Sequence, residues 1–185
     1  MGTGQALRRA GVDTAWAFSE VSSSDDCAAP FPRVIAERNI VEAFPNAFLG
    51  VCLATSVYTA SPGRGEKTDW LYEQCVARGI FRGLADRLAW DRPRFWQTVT
   101  ENRHHDERAA LVCAVTALCV LRGEYVAVGD ATGGYFFMPP WAMWADWARA
   151  SLDANRRDSR LGAQVEVWIG GALFDSRQAL PPAAG

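Results

Sequence analysis

The 185-residue chain carries 19 basic and 21 acidic residues, so its formal net charge is −2. Hydrophobic residues make up 49% and charged residues 22%, which is typical of a globular chain and not of a disordered one. The length suits one domain with a core. The chain lacks the overall excess of basic residues that is typical of proteins that bind phosphate backbones. Any nucleic-acid contact must therefore be local, and scattered solvated arginines are the alternative. The candidate residues are Arg64, Lys67, Arg87, Arg92 and Arg94.

The cysteine pattern indicates a reducing compartment. Five cysteines, at positions 27, 52, 75, 113 and 119, include no CxxC pair, so we expect five free thiols and no zinc site. Residues 1–30 contain no apolar signal-peptide core. The longest apolar run, Ala109–Leu121, has 13 residues, whereas a membrane span needs about 20. We therefore expect a cytoplasmic protein without a membrane segment.

The predicted elements alternate between strands and helices, which favours the α/β class. A poorly defined segment covers 1–33, and a buried strand follows at 39–44, closed by Pro45. A loop covers 59–66. Helices are predicted from Thr68 or Asp69 to Ala77, over 80–90, and from near Pro93.

The second half begins with the clearest helix, from Asp106 to about Leu121. Short strands at 125–128 and 135–138 flank a glycine-containing turn. Pro139-Pro140 then opens a helix whose Trp141, Trp144 and Ala148 share one face. A strand at 164–169 precedes a loose Pro/Ala-rich tail. We expect a core over 34–154 and a C-terminal strand and tail over 155–185.

Glu42 lies in the middle of the predicted buried strand, where alternation places it on one face with Ile40 and Phe44. A buried carboxylate costs several kcal/mol unless a metal, an arginine, hydrogen bonds or a proton compensates its charge. The residue is therefore a candidate site residue. The alternative is an edge strand in which Glu42 faces water or forms a salt bridge.

Asp106 is the second candidate, at the start of the clearest helix. Ala110, Cys113 and Ala117 follow on one face, and such small residues would let the helix lie against a sheet and bring Asp106 to its rim. Asp is also a preferred N-cap, so a purely structural role explains it equally.

The remaining polar motifs give weaker signals. His104 and His105 are adjacent and point in different directions, so we interpret them as loop residues, one of which could support a metal ligand. The turn Gly129–Gly134 lacks the lysine of a P-loop and the GxGxxG pattern, and we expect a tight strand-to-strand turn.

Three segments, in this order, resemble the family called domain of unknown function 429. They are Ile40-Val-Glu-Ala-Phe-Pro45, His105-Asp-Glu-Arg-Ala-Ala-Leu-Val-Cys-Ala-Val-Thr-Ala117 and Gly129-Asp-Ala-Thr-Gly-Gly-Tyr-Phe-Phe-Met-Pro139. The resemblance covers residues 34–140 and implies a ribonuclease-H-like fold, a mixed sheet flanked by helices that lacks its first strands here. It also implies catalysis with two divalent ions, Mg²⁺ or Mn²⁺, set ~4 Å apart. Glu42 and Asp106 would be the catalytic and metal-binding residues.

Two positions depart from the family pattern. Ala109 stands where the family has a second Asp in the helix motif. Gly11-Val-Asp-Thr-Ala-Trp16 resembles the family's opening strand and would make Asp13 the first acid. Only about 25 residues separate Asp13 from the Glu42 strand, which leaves little room for two intervening strands. The other interpretation is that the first strands lie outside this sequence.

The sequence thus supports two hypotheses of different kinds. The first is a metal-dependent nuclease that hydrolyses phosphodiesters, or its degenerate remnant. The second is a non-catalytic binding or assembly module on the same fold, with the Trp-rich helix as the docking surface for a partner protein or a second copy. An ATPase-like use of the fold would need a stronger phosphate-binding loop.

Overall fold

A mixed sheet organises the protein in a computed structural model that describes residues 41–63, 65–130, 134–157, 165–174 and 178–182. Across these residues the sheet has the spatial order β1-β3-β2-β4-β5, with β1 parallel to β3 and the other neighbours antiparallel. The predicted α/β class is confirmed. The strands are β1 (Glu42–Ala43), β2 (Val126–Asp130), β3 (Gly134–Met138), β4 (Glu166–Ile169) and β5 (Ala172–Phe174).

Helices occupy most of the chain between β1 and β2. The described residues form α1 (Pro45–Val51), α2 (Thr55–Thr59), α3 (Lys67–Ala77), α4 (Ile80–Leu88), α5 (Pro93–Glu101), α6 (His105–Leu121), a 3₁₀ turn (Trp141–Met143) and α7 (Asp146–Arg157). Three of the predicted helices, α3, α4 and α6, are confirmed within two residues at each end, and α5 begins at Pro93 as predicted. Helices α1 and α2 were not predicted, because Pro45 indicated the end of a strand, whereas here it is the first residue of a helix.

The hairpin between β2 and β3 begins later than the sequence predicted. Gly129 and Asp130 continue β2 and pair with Tyr135 and Gly134, and residues 131–133 lie outside the described part. A Cβ atom on Gly129 would lie 2.0 Å from the carbonyl oxygen of Gly134. Glycine is therefore required at 129 by close packing of the backbones and not by phosphate binding.

The C-terminal strands belong to the same sheet as β2 and β3. Strand β4 confirms the predicted strand at 164–169 and pairs with β2. Strand β5 was not predicted; it pairs with β4 across a turn at Gly170 and Gly171, whose φ angles are 55° and 87°. Only glycine adopts such angles without strain, which explains the glycine pair.

The Trp-rich segment forms core rather than surface. Trp141, Trp144 and Ala148 are buried in one cluster with Val126 and Val167 of the sheet, which confirms that they share a face. The segment divides into the 3₁₀ turn and α7 instead of forming one helix. Because its indoles are buried against the sheet, this segment does not present the two tryptophans for docking a partner.

Helix α6 buries a different face from the predicted one. Ala110, Cys113 and Ala117 are exposed, so the expectation that these small residues lie against the sheet is wrong. The buried positions include Val112, Val115, Thr116 and Cys119. Larger apolar side chains bury more area, and that gain determines which face turns inward.

Four cysteines are free thiols, as predicted, namely Cys52, Cys75, Cys113 and Cys119. Cys27 lies outside the described residues. Burial raises the pKa of Cys75 and of Cys119 to about 12, so both thiols stay protonated at neutral pH. Among the described helices none is long and apolar enough to cross a membrane.

Candidate functional site

A surface pocket lies where α1, α3 and α6 begin. It has a volume of about 420 Å³, within the range of small-molecule sites. None of its lining residues is acidic. They are Asn46, Pro62, Gly63, Gly65, Lys67, Thr68 and His105. The Thr68 hydroxyl donates a hydrogen bond to the side-chain oxygen of Asn46 (2.6 Å), which ties the start of α3 to the start of α1.

Beside the pocket, a buried arginine joins α3 to α6. Arg108 is 3% exposed, and its guanidinium donates to Asp69 Oδ1 and Glu73 Oε1, both at 3.0 Å. Its Nε donates to the carbonyl oxygen of Asn102 at 3.2 Å, and the guanidinium lies over the ring of Tyr72 at 5.3 Å. Burial lowers the pKa of Arg108, but the hydrogen bonds to the two carboxylates outweigh it, so the pKa lies above its usual value. The arginine therefore stays charged.

Asp69 also holds the imidazole of His105. The distance from His105 Nδ1 to Asp69 Oδ2 is 2.9 Å. Burial raises the pKa of Asp69, but hydrogen bonds from His105 and Arg108 outweigh it, so the pKa lies below its usual value. An ionised carboxylate only accepts hydrogen bonds, so Nδ1 carries the hydrogen. Nε2 is the ring nitrogen left for the pocket, and no described residue bonds to it.

Helix geometry explains why these four side chains meet. Asp69 and Glu73 are four residues apart in α3, and His105 and Arg108 are three apart in α6, so each pair occupies one helix face. The two faces meet where α3 packs on α6. The expectation that His105 is a loop residue is therefore wrong, because it is the first residue of α6.

Among the described lining residues, Lys67 is the one with a permanent positive charge. Its side chain is half-buried, with the ammonium 4.4 Å from the centre of the Tyr58 ring and 3.3 Å from the Tyr58 hydroxyl. Tyr58 in turn stacks on Trp147 at 4.9 Å. No described carboxylate pairs with this ammonium.

Glu42 and Asp106 occupy exposed positions. Glu42 lies in the two-residue strand β1, which is the edge strand among the described residues, so the prediction of a buried strand is wrong and the edge-strand alternative holds. Asp106 is in the first turn of α6, whose N-cap is His104, so Asp106 is not the N-cap. Helix α6 does contact β1. Asp13 lies outside the described residues.

The basic residues proposed for nucleic acid lie on different elements, with Arg92 and Arg94 both at the start of α5. Arg87 pairs with Glu124 at 2.8 Å, and the Arg92 guanidinium binds the backbone oxygen of Asp91. Lys67 lines the pocket. Arg64 lies outside the described residues.

Comparison with known proteins gives no relative for this fold and site. No protein-family model, curated protein or solved structure matches the chain. The resemblance to domain of unknown function 429 therefore stays a prediction.

The Asp69 interactions predict a specific dependence of stability on pH. Because the folded pKa of Asp69 lies below the unfolded value of about 3.9, its contribution is present above that pH and is lost as the pH falls through the folded pKa. Asp69→Asn should lower the free energy of unfolding by about 1–2 kcal/mol at pH 7. Urea melts from pH 7 to pH 3 should show this difference unchanged down to pH 5 and shrinking below pH 4. Asp91→Asn, at an exposed position, is the control; a difference that grows towards pH 3 would contradict the assignment.

The proposed metal site at Glu42 and Asp106 has few ligands. The described residues contain no group of three or more His, Cys, Asp or Glu side chains placed to hold a metal ion. Carboxylate oxygens are the ligands that Mg²⁺ or Mn²⁺ prefers, but two exposed carboxylates are fewer ligands than such an ion usually has. If the site exists, Mn²⁺ at ten times its dissociation constant should stabilise the wild type by about 1.4 kcal/mol. Thermal melts should show no such shift in Glu42→Gln or Asp106→Asn and an unchanged one in Glu101→Gln. Equal thermal shifts with Mn²⁺ in all four proteins would contradict a metal site at Glu42 and Asp106.

Proposed function

We propose that the protein is a small-molecule hydrolase whose site is the pocket at the start of α3 and α6, with His105 as general base and general acid. The observation that carries the proposal is the Asp69–His105 pair at 2.9 Å beside a pocket of about 420 Å³. Acid–base catalysis needs a group that can accept and return a proton at a fixed position beside the substrate. A histidine can do both through one ring nitrogen while the other is held by a hydrogen bond, as Nδ1 of His105 is held by Asp69.

Asp69 and Arg108 give the imidazole its orientation and its tautomer. Asp69 accepts the Nδ1 hydrogen through one oxygen, and its other oxygen is held by Arg108 at 3.0 Å. Rotation of the carboxylate would break the bond to Arg108, which is itself fixed by Glu73. Asp69 and Arg108 are therefore positioning residues, and His105 is the catalytic residue.

The proposed reaction is ester hydrolysis, with His105 Nε2 as the group that accepts and returns the proton. Nε2 accepts a proton from a water molecule as the water oxygen attacks the electrophilic carbon or phosphorus of a bound ester. Asp69 stabilises the imidazolium that forms. The bond to the leaving oxygen then breaks, and the imidazolium returns its proton to that oxygen. The products are an acid and an alcohol, and the histidine is neutral again.

The adjacent histidine provides a matched control for the test. Turnover of p-nitrophenyl acetate, p-nitrophenyl phosphate and bis-p-nitrophenyl phosphate would be measured between pH 5 and pH 9 for the wild type, His105→Asn and His104→Gln. General acid–base catalysis contributes about 10²–10⁴-fold, so His105→Asn should lose at least 100-fold in kcat/KM. His104 is exposed and lines no part of the pocket, and glutamine does not introduce a preferred N-cap, so His104→Gln should keep wild-type turnover. Equal activity in the two variants, or no turnover by the wild type, would contradict the proposal.

The ribonuclease-H-like fold, the metal-dependent nuclease and the assembly module stay proposals that rest on the sequence resemblance. The five-stranded mixed sheet with flanking helices is compatible with that fold class, and the contact of α6 with β1 favours placing Glu42 and Asp106 in one region. Their exposure weighs against the nuclease, because two-metal sites work in shaped, water-excluding cavities.

A further inference from the structure

We propose that the pocket recognises its ligand by a phosphoryl group, which binds between the Lys67 ammonium and the first turns of α3 and α6. This inference rests on the proposed function and names the substrate class of the same site: a small phosphate ester.

The charge of the lining supplies the first argument. Among the described residues, one ammonium and one imidazole line the pocket and no carboxylate does, although the chain has 21 acidic residues. Asp69, the acid bonded to His105, is already matched by Arg108. The contacts of the half-buried ammonium in the described structure are one phenol ring and its hydroxyl, and an anionic ligand would supply a counter-charge.

The amino-acid composition makes Lys67 distinctive. It is the single lysine in the sequence, and the other 18 basic residues are arginines. The buried and paired cations of the site and core are guanidinium groups, such as Arg108 and Arg156. At the pocket the chain instead places a compact point charge, which is a common partner of phosphate groups.

The backbone around the pocket supplies further donors. The N-caps of α3 and α6, Glu66 and His104, make no side-chain hydrogen bond to their helices. The first-turn amides of both helices are therefore not capped by these two side chains, and Lys67, Thr68 and His105 of the same turns line the pocket. Several possible donors at one pocket suit a phosphate, which has more acceptor oxygens than a carboxylate.

Two glycines of the lining leave space for such a group. Gly63 and Gly65 line the pocket, and a Cβ atom at either position would meet nothing within 4 Å. Gly65 has a φ angle of 107°, which side chains rarely adopt. The pocket volume of about 420 Å³ exceeds what a phosphate alone needs, so the rest of the space would hold the organic part of an ester.

The test uses inorganic phosphate and phenyl phosphate as probes, with benzoate as the carboxylate control at equal ionic strength. Either phosphate at ten times its dissociation constant should raise the melting temperature of the wild type by about 3–6 °C. Lys67→Met keeps the aliphatic stem and removes the charge, so its shift should disappear. Arg122→Gln removes an exposed charge outside the pocket and should respond as the wild type does.

Labelling of the single lysine gives a second readout. Trinitrobenzenesulfonate modifies Lys67 and the terminal amine, and phenyl phosphate should slow the labelling of Lys67 by at least fivefold. An equal effect of benzoate, a full thermal shift in Lys67→Met, or the absence of any shift in the wild type would overturn the proposal. If phosphate binds through Lys67 but His105→Asn retains turnover, the phosphate site stands and the hydrolase proposal falls. If His105→Asn loses turnover but phosphate does not bind through Lys67, the phosphate site falls and the hydrolase proposal stands.

Discussion

A buried guanidinium must be matched by acceptors, and this requirement at Arg108 determines how α3 and α6 meet. The group is 3% exposed and has partners on two segments: Asp69, Glu73 and the ring of Tyr72 in α3, and the carbonyl of Asn102 before α6. A planar fork of donors tolerates little rotation without losing a bond. The two helices are therefore held in one register, and that register brings their first turns to the same pocket.

The candidate site depends on this constraint through Asp69. One carboxylate oxygen belongs to the structural pair with Arg108, and the other holds the imidazole of His105. Because Asp69 bonds to both Arg108 and His105, a substitution of Asp69 should change both the stability of the fold and the proposed chemistry. The two partners of Asp69 differ in exposure. Arg108 is buried, whereas the His105 side chain is 53% exposed, on the solvent side where a ligand can enter. Lys67, two residues before Asp69, is the first residue of α3 and lines the same pocket.

Local pattern in the sequence predicts the helices better than it predicts the site. The helical spacing and the glycine and proline positions predict α3, α4 and α6 within two residues, and the start of α5. Which faces pack is a tertiary property: Asp69 and Arg108 are 39 residues apart, and no local period indicates that they meet. A clue was present in the four-residue spacing of Asp69 and Glu73 and the three-residue spacing of His105 and Arg108, each of which places two charged or polar groups on one helix face. The prediction for Glu42 was wrong because a run of six residues, 39–44, resembles a buried strand, whereas of its described residues, 41–44, two form a strand, at the edge of the described sheet.

The central claim is that Arg108 and Asp69 form an energetically coupled pair, and a double-mutant cycle measures it most directly. The free energy of unfolding would be determined by urea melts at pH 7 for the wild type, Arg108→Met, Asp69→Asn and the double variant. A hydrogen-bonded pair with one buried charge should show a coupling energy of at least about 1 kcal/mol. The exposed pair Arg87–Glu124, cycled in the same way, should give less than about 0.5 kcal/mol. A coupling for Arg108 and Asp69 no larger than that of the exposed pair would contradict the account.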